Sequence, residues 1–367
     1  MKHIFWLEHY PRSISGIIDY LSCSEEVHCI CAQSSIYTKR AKMGWGKDNL
    51  EKVSFTYLKD GDIHSTAEYF INDDPEVIHY IMGVRYGKMG HIVKRYLLNR
   101  KDLNIFVLAE RPYLYGKSKI EQFLLACYYY YIGFKYSNNI KGVFAMGTLG
   151  VKAYRNWAKG RVFPFLYPHF NKIEVKSTEC SKPIKALYVG QLDKRKGIDL
   201  LIDVMPNFDG LIELSVVGSN GNVESEIIHK IKECNNIKYN GVWDSEQLRE
   251  EITDYDVCIV PSRYDGWGMF VMEGIEAGLG VITTDKTGSK DLIEASKAGI
   301  IIHSDNKDSL NIALYKIAYT PTIVDEWKQY ARQYRNRICQ NVVGDYFREC
   351  INYSLNLSQQ LPICPWL

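Results

Sequence analysis

Short hydrophobic runs recur along the whole chain, and polar or helically spaced segments separate them. In the first half these runs occupy residues 3–7, 27–31, 53–57, 77–82 and 105–108, and in the second half residues 185–190, 212–217, 257–260, 281–285 and 298–304. Apolar strands that alternate with helical segments are typical of a parallel sheet that is buried on both faces. The pattern therefore predicts an α/β protein.

A chain of 367 residues is too long for one ordinary core, so we expect two domains. The segment FPFLYPHF, residues 163–170, contains two prolines and breaks the periodicity, which predicts a linker. We therefore expect an N-terminal domain over residues 1–170 and a second domain over residues 171–340. Helical spacing from residue 342 onward predicts a C-terminal helical arm, residues 341–367, that packs toward the first domain.

The formal net charge of +2 conceals opposite charges in the two halves. Residues 1–176 hold 25 lysines and arginines against 16 acidic residues, whereas residues 177–367 hold 20 against 27. A basic half favours an anionic surface or substrate as its partner, and the same asymmetry fits two domains that attract each other.

The run FLLACYYYYIGF, residues 123–134, is strongly apolar and uncharged, and lysines flank it. It is too short to span a bilayer. Two interpretations stay open. Aromatic side chains beside cations favour an interfacial contact with a membrane, and the apolar character alone favours a helix buried in the first domain.

The composition, with 46% hydrophobic and 24% charged residues, is typical of a soluble globular protein. The ten cysteines lack the dense spacing of a disulfide scaffold and no signal peptide precedes the first strand, so a cytoplasmic location is expected. Asp254 and Asp256 have the spacing of a metal-binding pair, but they stand at the amino end of a strand, where we expect a helix-to-strand turn. The sequence therefore predicts neither a metal nor another cofactor.

The segment PSRYDGWGMFVMEGIEAG, residues 261–278, leads from a buried strand through a glycine-rich turn into a helix. The first N–H groups of a helix lack partners within it, and together with the helix dipole they form an anion site. Asp265 on the loop and Glu273 one turn inside the helix suit a ligand with phosphates at the helix tip and hydroxyls on either side. A plain strand, turn and packing helix is the alternative that the spacing alone leaves open.

Other loops follow predicted strands in the same way. QLDKRKG, residues 191–197, carries three consecutive cations, and residues 218–221 and 287–289 are small enough for a ligand to approach the backbone. In α/β proteins the carboxyl ends of parallel strands face the ligand crevice. These loops are therefore expected to converge on one ligand, and Gly16 and Glu110 are the corresponding candidates in the first domain.

Over residues 185–305 the chain resembles the retaining glycosyltransferases of the GT-B fold, family 4. The resemblance rests on LYVGQLDKRKGIDLLI, LSVVGSNG, YNGVWDSEQL, DVCIVPSRYDGWGMFVMEGIEAGLGVITTD and TGSKDLI, which occur in the family's order and at its spacing. It implies two Rossmann-like domains that face each other across a cleft, with a C-terminal helix that crosses back to the first domain. The second domain would bind a nucleotide sugar and the first an acceptor.

The resemblance also implies roles for individual residues. Glu273 matches the family's ribose-binding glutamate, Asp265 the acidic residue beside the donor sugar, and Lys196 the phosphate lysine. Gln191 stands where the family has an arginine, and Arg195 and Lys194 are the candidate substitutes. The implied catalytic residues are Asp265, Lys196 and, in the first domain, Glu110. The implied donor-binding residues are Gly16, Gly190, Gln191, Arg195, Lys196, Gly218, Val242, Trp243, Asp265, Gly266, Trp267, Gly268, Met269, Phe270 and Glu273.

The implied function is a metal-independent sugar transfer with retained configuration, from a nucleotide sugar with UDP as the expected nucleotide. The expected acceptor is a glycan or a lipid-linked molecule in the synthesis of a surface polysaccharide such as capsule, lipopolysaccharide or exopolysaccharide. The alternatives are a nucleotide-sugar epimerase of the same fold and a catalytically degenerate subunit that binds a nucleotide sugar. No nucleic-acid partner is expected, and the basic, aromatic N-terminal domain suggests peripheral contact with the inner face of a membrane.

Overall fold

The computed structural model describes residues 1–10, 12–32, 51–59, 63–72, 74, 76–83, 87–168, 173–176, 179–219 and 221–367. The chain divides into two compact units. Unit 1 takes the residues up to 170, apart from a short stretch, together with residues 339–365, and unit 2 takes residues 171–338 and the final two residues.

Unit 1 is built on a parallel sheet. Its strands are β1 (Lys2–Leu7), β2 (Glu26–Cys31), β3 (Val53–Tyr57), β4 (Ile78–Met82), β5 (Asn104–Ala109), β6 (Ile140–Met146) and β7 (Val162–Phe165). Its helices in this part of the chain are α1 (Ser15–Ser22), α2 (Ile63–Asn72), α3 (Gly87–Ile92), α4 (Lys119–Tyr136) and α5 (Gly147–Tyr154). Among the described residues the strand order is β3, β2, β1, β4, β5, β6, β7, with every neighbouring pair parallel.

Unit 2 repeats this design. Its strands are β8 (Ile184–Val189), β9 (Ile212–Val217), β10 (Ile237–Tyr239), β11 (Val257–Val260), β12 (Gly280–Thr284) and β13 (Gly299–Ile302). Its helices are α6 (Ile198–Val204), α7 (Glu224–Lys232), α8 (Ser245–Glu251), α9 (Met269–Glu276), α10 (Lys290–Ser296), α11 (Lys307–Tyr319) and α12 (Thr322–Tyr334). The parallel strands are ordered β10, β9, β8, β11, β12, β13. Strands β9 and β10 are thus added on one side of β8, and β11 to β13 on the other, so the strand order switches between β8 and β11. Such a switch point is where open α/β sheets bind ligands.

A last helix, α13 (Gln340–Ser354), follows unit 2 in the chain and belongs to unit 1. Its buried side chains recur at helical spacing, so one face of the helix is apolar. On that face Phe347 stacks on Phe144, with ring centroids 4.1 Å apart, and lies 5.5 Å from Tyr80. The helix thus covers an aromatic layer on the sheet, and the predicted return of the C-terminal segment to the first domain is confirmed.

Polar contacts also hold α13 against the start of unit 1. Arg348 on α13 donates to Glu25 at 2.8 Å, and the other carboxylate oxygen of Glu25 lies 2.8 Å from His3 Nε2. His3 Nδ1 in turn lies 2.9 Å from the hydroxyl of Tyr80. The hydrogen bond from His3 outweighs burial and lowers the pKa of Glu25 to about 2.

The expected linker over residues 163–170 is wrong in its first part. Val162–Phe165 is strand β7, in which Phe163 pairs with Phe144 and Pro164 with Ala145. Phe163 and Phe165 are buried. Because β7 is the last strand in the order, no further strand requires the backbone N–H that Pro164 lacks.

The predicted α/β class, with a parallel sheet in each half, is confirmed. Strands β6 and β10 were not predicted, because β6 contains a lysine and a glycine and β10 has three residues. No helix within the described ranges is both long and apolar enough to cross a bilayer.

Candidate functional site

Four loops of unit 2 follow strands that lie side by side, namely β9, β8, β11 and β12. The loops after β8 and β9 touch, because Gly190 N–H donates to Val217 O at 3.0 Å. Gly218 has a φ of 143°, and a Cβ there would lie 1.7 Å from Gly190 O. Only glycine fits at residue 218, so Gly218 is required first by the contact between the two loops.

The loops after β8 and β11 are also joined. A Cβ on Gly197 would lie 2.0 Å from Pro261 O, and Arg263 N–H donates to Arg195 O at 2.8 Å. The cationic loop and the 261–278 segment therefore contact each other directly at the switch point of the sheet.

Arg263 holds the loops after β8 and β11 together, a role that was not predicted from the sequence. Its guanidinium donates to both carboxylate oxygens of Asp199, at 2.6 and 2.9 Å, and to Asp305 at 2.6 Å. The hydrogen bond to Asp199 is the main cause that raises the pKa of Arg263 above its usual range. A paired guanidinium of this kind is rigid, so Arg263 positions the loops. The available signal was an arginine two residues after Pro261 with an aspartate in the helix turn that follows the cationic loop.

Lys196 and Asp265, predicted from separate segments, touch each other. Lys196 Nζ lies 2.5 Å from Asp265 Oδ2, and the two side chains are 21% and 13% exposed. The turn that carries Lys196 is capped by Asp193, whose side chain accepts from Lys196 N–H at 2.8 Å. An anion that reaches Lys196 therefore competes with the carboxylate of Asp265 for the same ammonium group.

Arg195 lies against Gln191, the position where the family pattern has an arginine. One guanidinium nitrogen donates to Gln191 Oε1 at 3.0 Å and another to Tyr264 O at 3.2 Å. Asp193 lies 3.6 Å away. A cation thus stands beside residue 191, supplied from four residues further along the chain.

Helix α9 begins directly after the 265–268 turn. Its N-cap, Gly268, has a φ of 90°, and a Cβ there would lie 2.5 Å from Thr287 Cγ2. No side chain caps the helix. Among the described residues, no protein atom accepts from the N–H groups of Met269 and Phe270. Such N–H groups, together with the helix dipole, are suited to holding an anion, and they lie in the segment that follows β11.

The loop after β12 supports the 265–268 turn. Ser289 N–H donates to Trp267 O at 2.7 Å and its hydroxyl donates to Gly268 O at 3.0 Å. A Cβ on Gly288 would lie 2.2 Å from Gly266 O. The small residues at 287–289 therefore allow this turn to pack closely, whereas the sequence predicted that they allow a ligand to approach the backbone.

Two other residues of the 261–278 segment have distinct surroundings. Glu273 is half-buried on α9, and its charge adds to burial in raising the pKa of Cys258. Trp267 is 2% exposed, and its indole N–H has no acceptor among the described residues.

The loop after β10 reaches the same edge, because Gly218 N–H donates to Gly241 O at 2.8 Å. Of the two predicted base contacts on this loop, Val242 is 38% exposed. Trp243 is half-buried, and its ring centroid lies 6.4 Å from that of Tyr255.

Two predicted site residues belong to unit 1. Gly16 is buried in the first turn of α1, and its carbonyl accepts from Gln340 of α13 at 2.8 Å. Glu110 is exposed after β5, and its carbonyl accepts from the hydroxyl of Tyr154 at 2.9 Å. The other predicted residues all belong to unit 2.

The aspartate pair at 254 and 256 has a structural role at residue 256. Asp256 is buried and accepts from Lys328 at 2.7 Å, from Lys185 N–H at 3.0 Å and from Ser181. Burial opposes ionisation, but these hydrogen bonds outweigh it and lower the pKa of Asp256. Its carboxylate oxygens are thus occupied by the protein.

The comparisons with known proteins bear mainly on unit 2. Residues 170–334 match the family model of glycosyl transferases group 1. A 41.2 kDa protein from the cps region of Klebsiella pneumoniae is 26% identical over 128 residues, which is 35% of each chain. The amylovoran biosynthesis glycosyltransferase AmsK of Erwinia amylovora is 22% identical over 151 residues, 37% of this chain and 36% of its own. The chain spans about a third of the length of these curated relatives.

Among solved structures, HepE of Anabaena in complex with UDP superposes with a TM-score of 0.73. The match covers 96% of this chain and 100% of HepE at 12% identity. At that identity the likeness shows the fold alone, and it is the GT-B fold that the sequence predicted.

Proposed function

We propose that this chain, whose residues 170–334 belong to the glycosyl transferases group 1 family, is a glycosyltransferase that uses a nucleotide sugar. The observation that carries the proposal is the meeting of Lys196, Asp265 and the start of α9 at the switch point of the sheet. A cation and a helix N-terminus suit a diphosphate, and a carboxylate beside them suits sugar hydroxyls.

We propose UDP as the nucleotide, and the UDP complex of HepE, which shares the fold, supports this choice. In the proposed complex Lys196, Arg195 and the N–H groups at the start of α9 hold the diphosphate. Glu273 binds the ribose hydroxyls, and Val242 and Trp243 contact the base.

In the proposed reaction the bond between the sugar C1 and the β-phosphate oxygen breaks while the acceptor oxygen bonds to C1 on the same face. The leaving phosphate takes the proton of the acceptor hydroxyl, so the configuration is retained without a protein nucleophile. Lys196 and the start of α9 stabilise the charge that develops on the phosphate, and Asp265 orients the sugar. We propose that these groups do this without a metal, and that Glu110 contributes from unit 1 beside the acceptor.

The proposed acceptor is a glycan or a lipid-linked molecule in surface polysaccharide synthesis. The role in amylovoran biosynthesis that the name of AmsK states supports this class of pathway. The basic character of the first 176 residues also fits an anionic acceptor.

The test is a panel of nucleotide sugars, scored first by thermal stabilisation of the protein and then by transfer to glycan and lipid-linked acceptors with EDTA present. We expect one UDP sugar to stabilise the chain and NMR of its product to show the anomeric configuration of the donor. An inverted linkage would refute the retaining reaction, and activity that EDTA abolishes would refute metal independence.

Gln191 supports a second candidate, a subunit that binds a nucleotide sugar without transferring it, because one phosphate cation of the family pattern is missing there. Arg195 restores a cation next to this position, which favours catalysis. UDP binding without turnover on any acceptor would decide for the binding subunit. Consumption of the donor in the absence of any acceptor, with a new epimer as product, would decide for an epimerase.

A further inference from the structure

Helix α4 exposes a stripe of large apolar side chains on unit 1. With their exposed fractions, these are Ile120 (72%), Phe123 (67%), Leu124 (60%), Tyr130 (61%), Tyr131 (56%) and Phe134 (74%). Spacings of three and four residues place them along one side of the helix, which has 18 residues and is about 27 Å long. We call these six residues the α4 stripe.

The other side of α4 holds the helix on unit 1. Its buried residues are Leu125, Ile132, Gly133 and Tyr136. Trp157 packs so closely that a Cβ on Gly133 would lie 2.2 Å from its ring, and its indole N–H donates to Tyr129 O at 3.0 Å. The helix is therefore apolar on two sides, and packing explains only one. The interpretation of the run at 123–134 as a buried helix is wrong for most of its length.

The start of α4 is fixed as well. Ser118 accepts from Glu121 N–H at 3.3 Å while the Glu121 side chain accepts from Ser118 N–H at 2.8 Å, a capping box that the sequence S-x-x-E encodes. The α4 stripe is thus presented on a formed helix, and a partner that binds it has no helix to induce.

The α4 stripe lies in a strongly basic part of the chain. Residues 87–168 hold 14 lysines and arginines against 3 acidic residues, a net charge of +11, and no acidic residue occurs between Glu121 and Glu174. On α4 itself Lys119 and Lys135 are exposed. Lys94 donates to the hydroxyl of Tyr128 at 2.9 Å, so the neighbouring helical segment brings a further cation to α4.

This charge decides between the possible occupants of the stripe. A second copy of the chain would bring the same lysines to the same stripe, so a symmetric dimer would set like charges against each other. A bilayer with anionic headgroups offers phosphates to the lysines and an apolar boundary to phenylalanine and tyrosine, which favour that depth.

We propose that the α4 stripe docks unit 1 on the surface of an anionic lipid bilayer. Phe123, Phe134 and their neighbours enter the boundary between headgroups and acyl chains, while Lys119 and Lys135 contact lipid phosphates. The proposal uses no donor-site residue, so it stands or fails apart from the proposed function. Together with that function it places a lipid-linked acceptor at the surface where the protein binds.

The experiment is co-sedimentation of the full chain with vesicles of phosphatidylcholine alone and of phosphatidylcholine mixed with phosphatidylglycerol. We expect binding to the mixed vesicles, weakened by added salt, and little binding to phosphatidylcholine. The variant Phe123→Ser/Phe134→Ser should lose affinity by about tenfold or more, because it removes two large apolar side chains from the contact with the bilayer. Lys119→Glu/Lys135→Glu should lose the preference for phosphatidylglycerol.

The matched control is Ile312→Ser/Tyr319→Ser on α11 of unit 2, whose side chains are 66% and 60% exposed. It should bind as the unaltered chain does, and circular dichroism should show all variants folded. The proposal is overturned if the unaltered chain ignores the mixed vesicles or if the α4 and α11 variants behave alike. A dimer in solution that Phe123→Ser/Phe134→Ser converts to monomer would assign the stripe to a second copy.

Discussion

Lys196 and Asp265 neutralise each other at a distance of 2.5 Å, so a phosphate that binds Lys196 has to displace a carboxylate. Removing that competitor should separate binding from transfer. With Asp265→Asn we expect tighter binding of UDP by about threefold to tenfold, because a neutral amide holds an ammonium less well than a carboxylate does.

The same variant should transfer sugar more slowly, by about a hundredfold, if Asp265 orients the donor. Titration calorimetry with UDP and steady-state rates with the matching UDP sugar measure the two effects. Weaker UDP binding in Asp265→Asn would show that Asp265 assists the diphosphate and does not compete with it.

Arg195 gives a second prediction at this scale. Because Arg195 bonds Gln191, where the family pattern has an arginine, Arg195→Gln should weaken UDP binding by about tenfold, the typical loss of one charge-assisted hydrogen bond. Lys194→Gln is the control, since Lys194 is exposed in the same turn. Equal losses in the two variants would point to the overall charge of the loop as the cause.

Single site residues could be predicted where they belong to a sequence motif. They could not be predicted where their role depends on a tertiary contact. Asp265, Glu273 and Lys196 stand in segments whose order and spacing mark them. Arg263 and Asp199 are 64 positions apart, and only the folded chain brings their side chains together. Arg195 was already a candidate from the loop sequence to replace the cation missing at residue 191, and what the structure adds is its hydrogen bond to Gln191.

Helix α9 depends on one backbone conformation at its start. Gly268→Ala should lower the free energy of unfolding by about 1–3 kcal/mol, because its φ of 90° is strained for a side chain and the new Cβ would meet Thr287. Gly210→Ala is the control, since Gly210 has a φ of 73° with nothing within 4 Å of a Cβ.

Thermal or urea denaturation should show the larger loss for Gly268→Ala, together with loss of UDP binding. Equal losses of stability would mean that the contact with Thr287 costs nothing and that backbone strain alone acts.

The buried pair of Lys328 and Asp256 joins α12 to the start of β11. Lys328→Met should cost about 3–5 kcal/mol, because it leaves a buried carboxylate without its cation. The control is Lys176→Met, which breaks the pair with Asp254, whose partners are both about half exposed, and should cost less than about 1 kcal/mol. Urea titration measures both, and a small effect at Lys328 would mean that Ser181 and Lys185 suffice to hold Asp256.

Elements were predicted well wherever burial followed chain periodicity, as in β8, β11 and α9. The exceptions have physical reasons. Strand β7 was not predicted because two prolines lie in the segment 163–170. One of them, Pro164, lies in β7, which tolerates it as an edge strand. The apolar run in α4 did not reveal which side of the helix packs, since both sides are apolar.

Unit 1 as a whole relies on the contact of α13 with β1 and its surroundings. The depressed pKa of Glu25 means that its ionised form stabilises the folded state above about pH 4.5, its ordinary value, and that this is lost as the pH falls toward about 2. The full contribution is up to about 3 kcal/mol, from 1.36 kcal/mol for each pKa unit.

Glu25→Gln should therefore lower the free energy of unfolding near neutral pH, and the gap to the unaltered chain should close between about pH 4.5 and about pH 2. Glu26→Gln is the control, because the carboxylate of Glu26 is exposed and pairs only at the surface with Lys2. Urea titrations across this pH range measure the gap. A gap that stays constant with pH would assign the loss to altered packing.

The path of the chain through the two units has a consequence for synthesis on the ribosome. The strands and helices of unit 2 lie within residues 171–338. Unit 1, in contrast, lacks Phe347 and Arg348 until α13 has been synthesised. We therefore expect the second unit to complete its core first, with the aromatic layer around Phe144 and Tyr80 left bare meanwhile. A released chain truncated after residue 338 should thus carry a protease-resistant second unit and a first unit that still recruits chaperones.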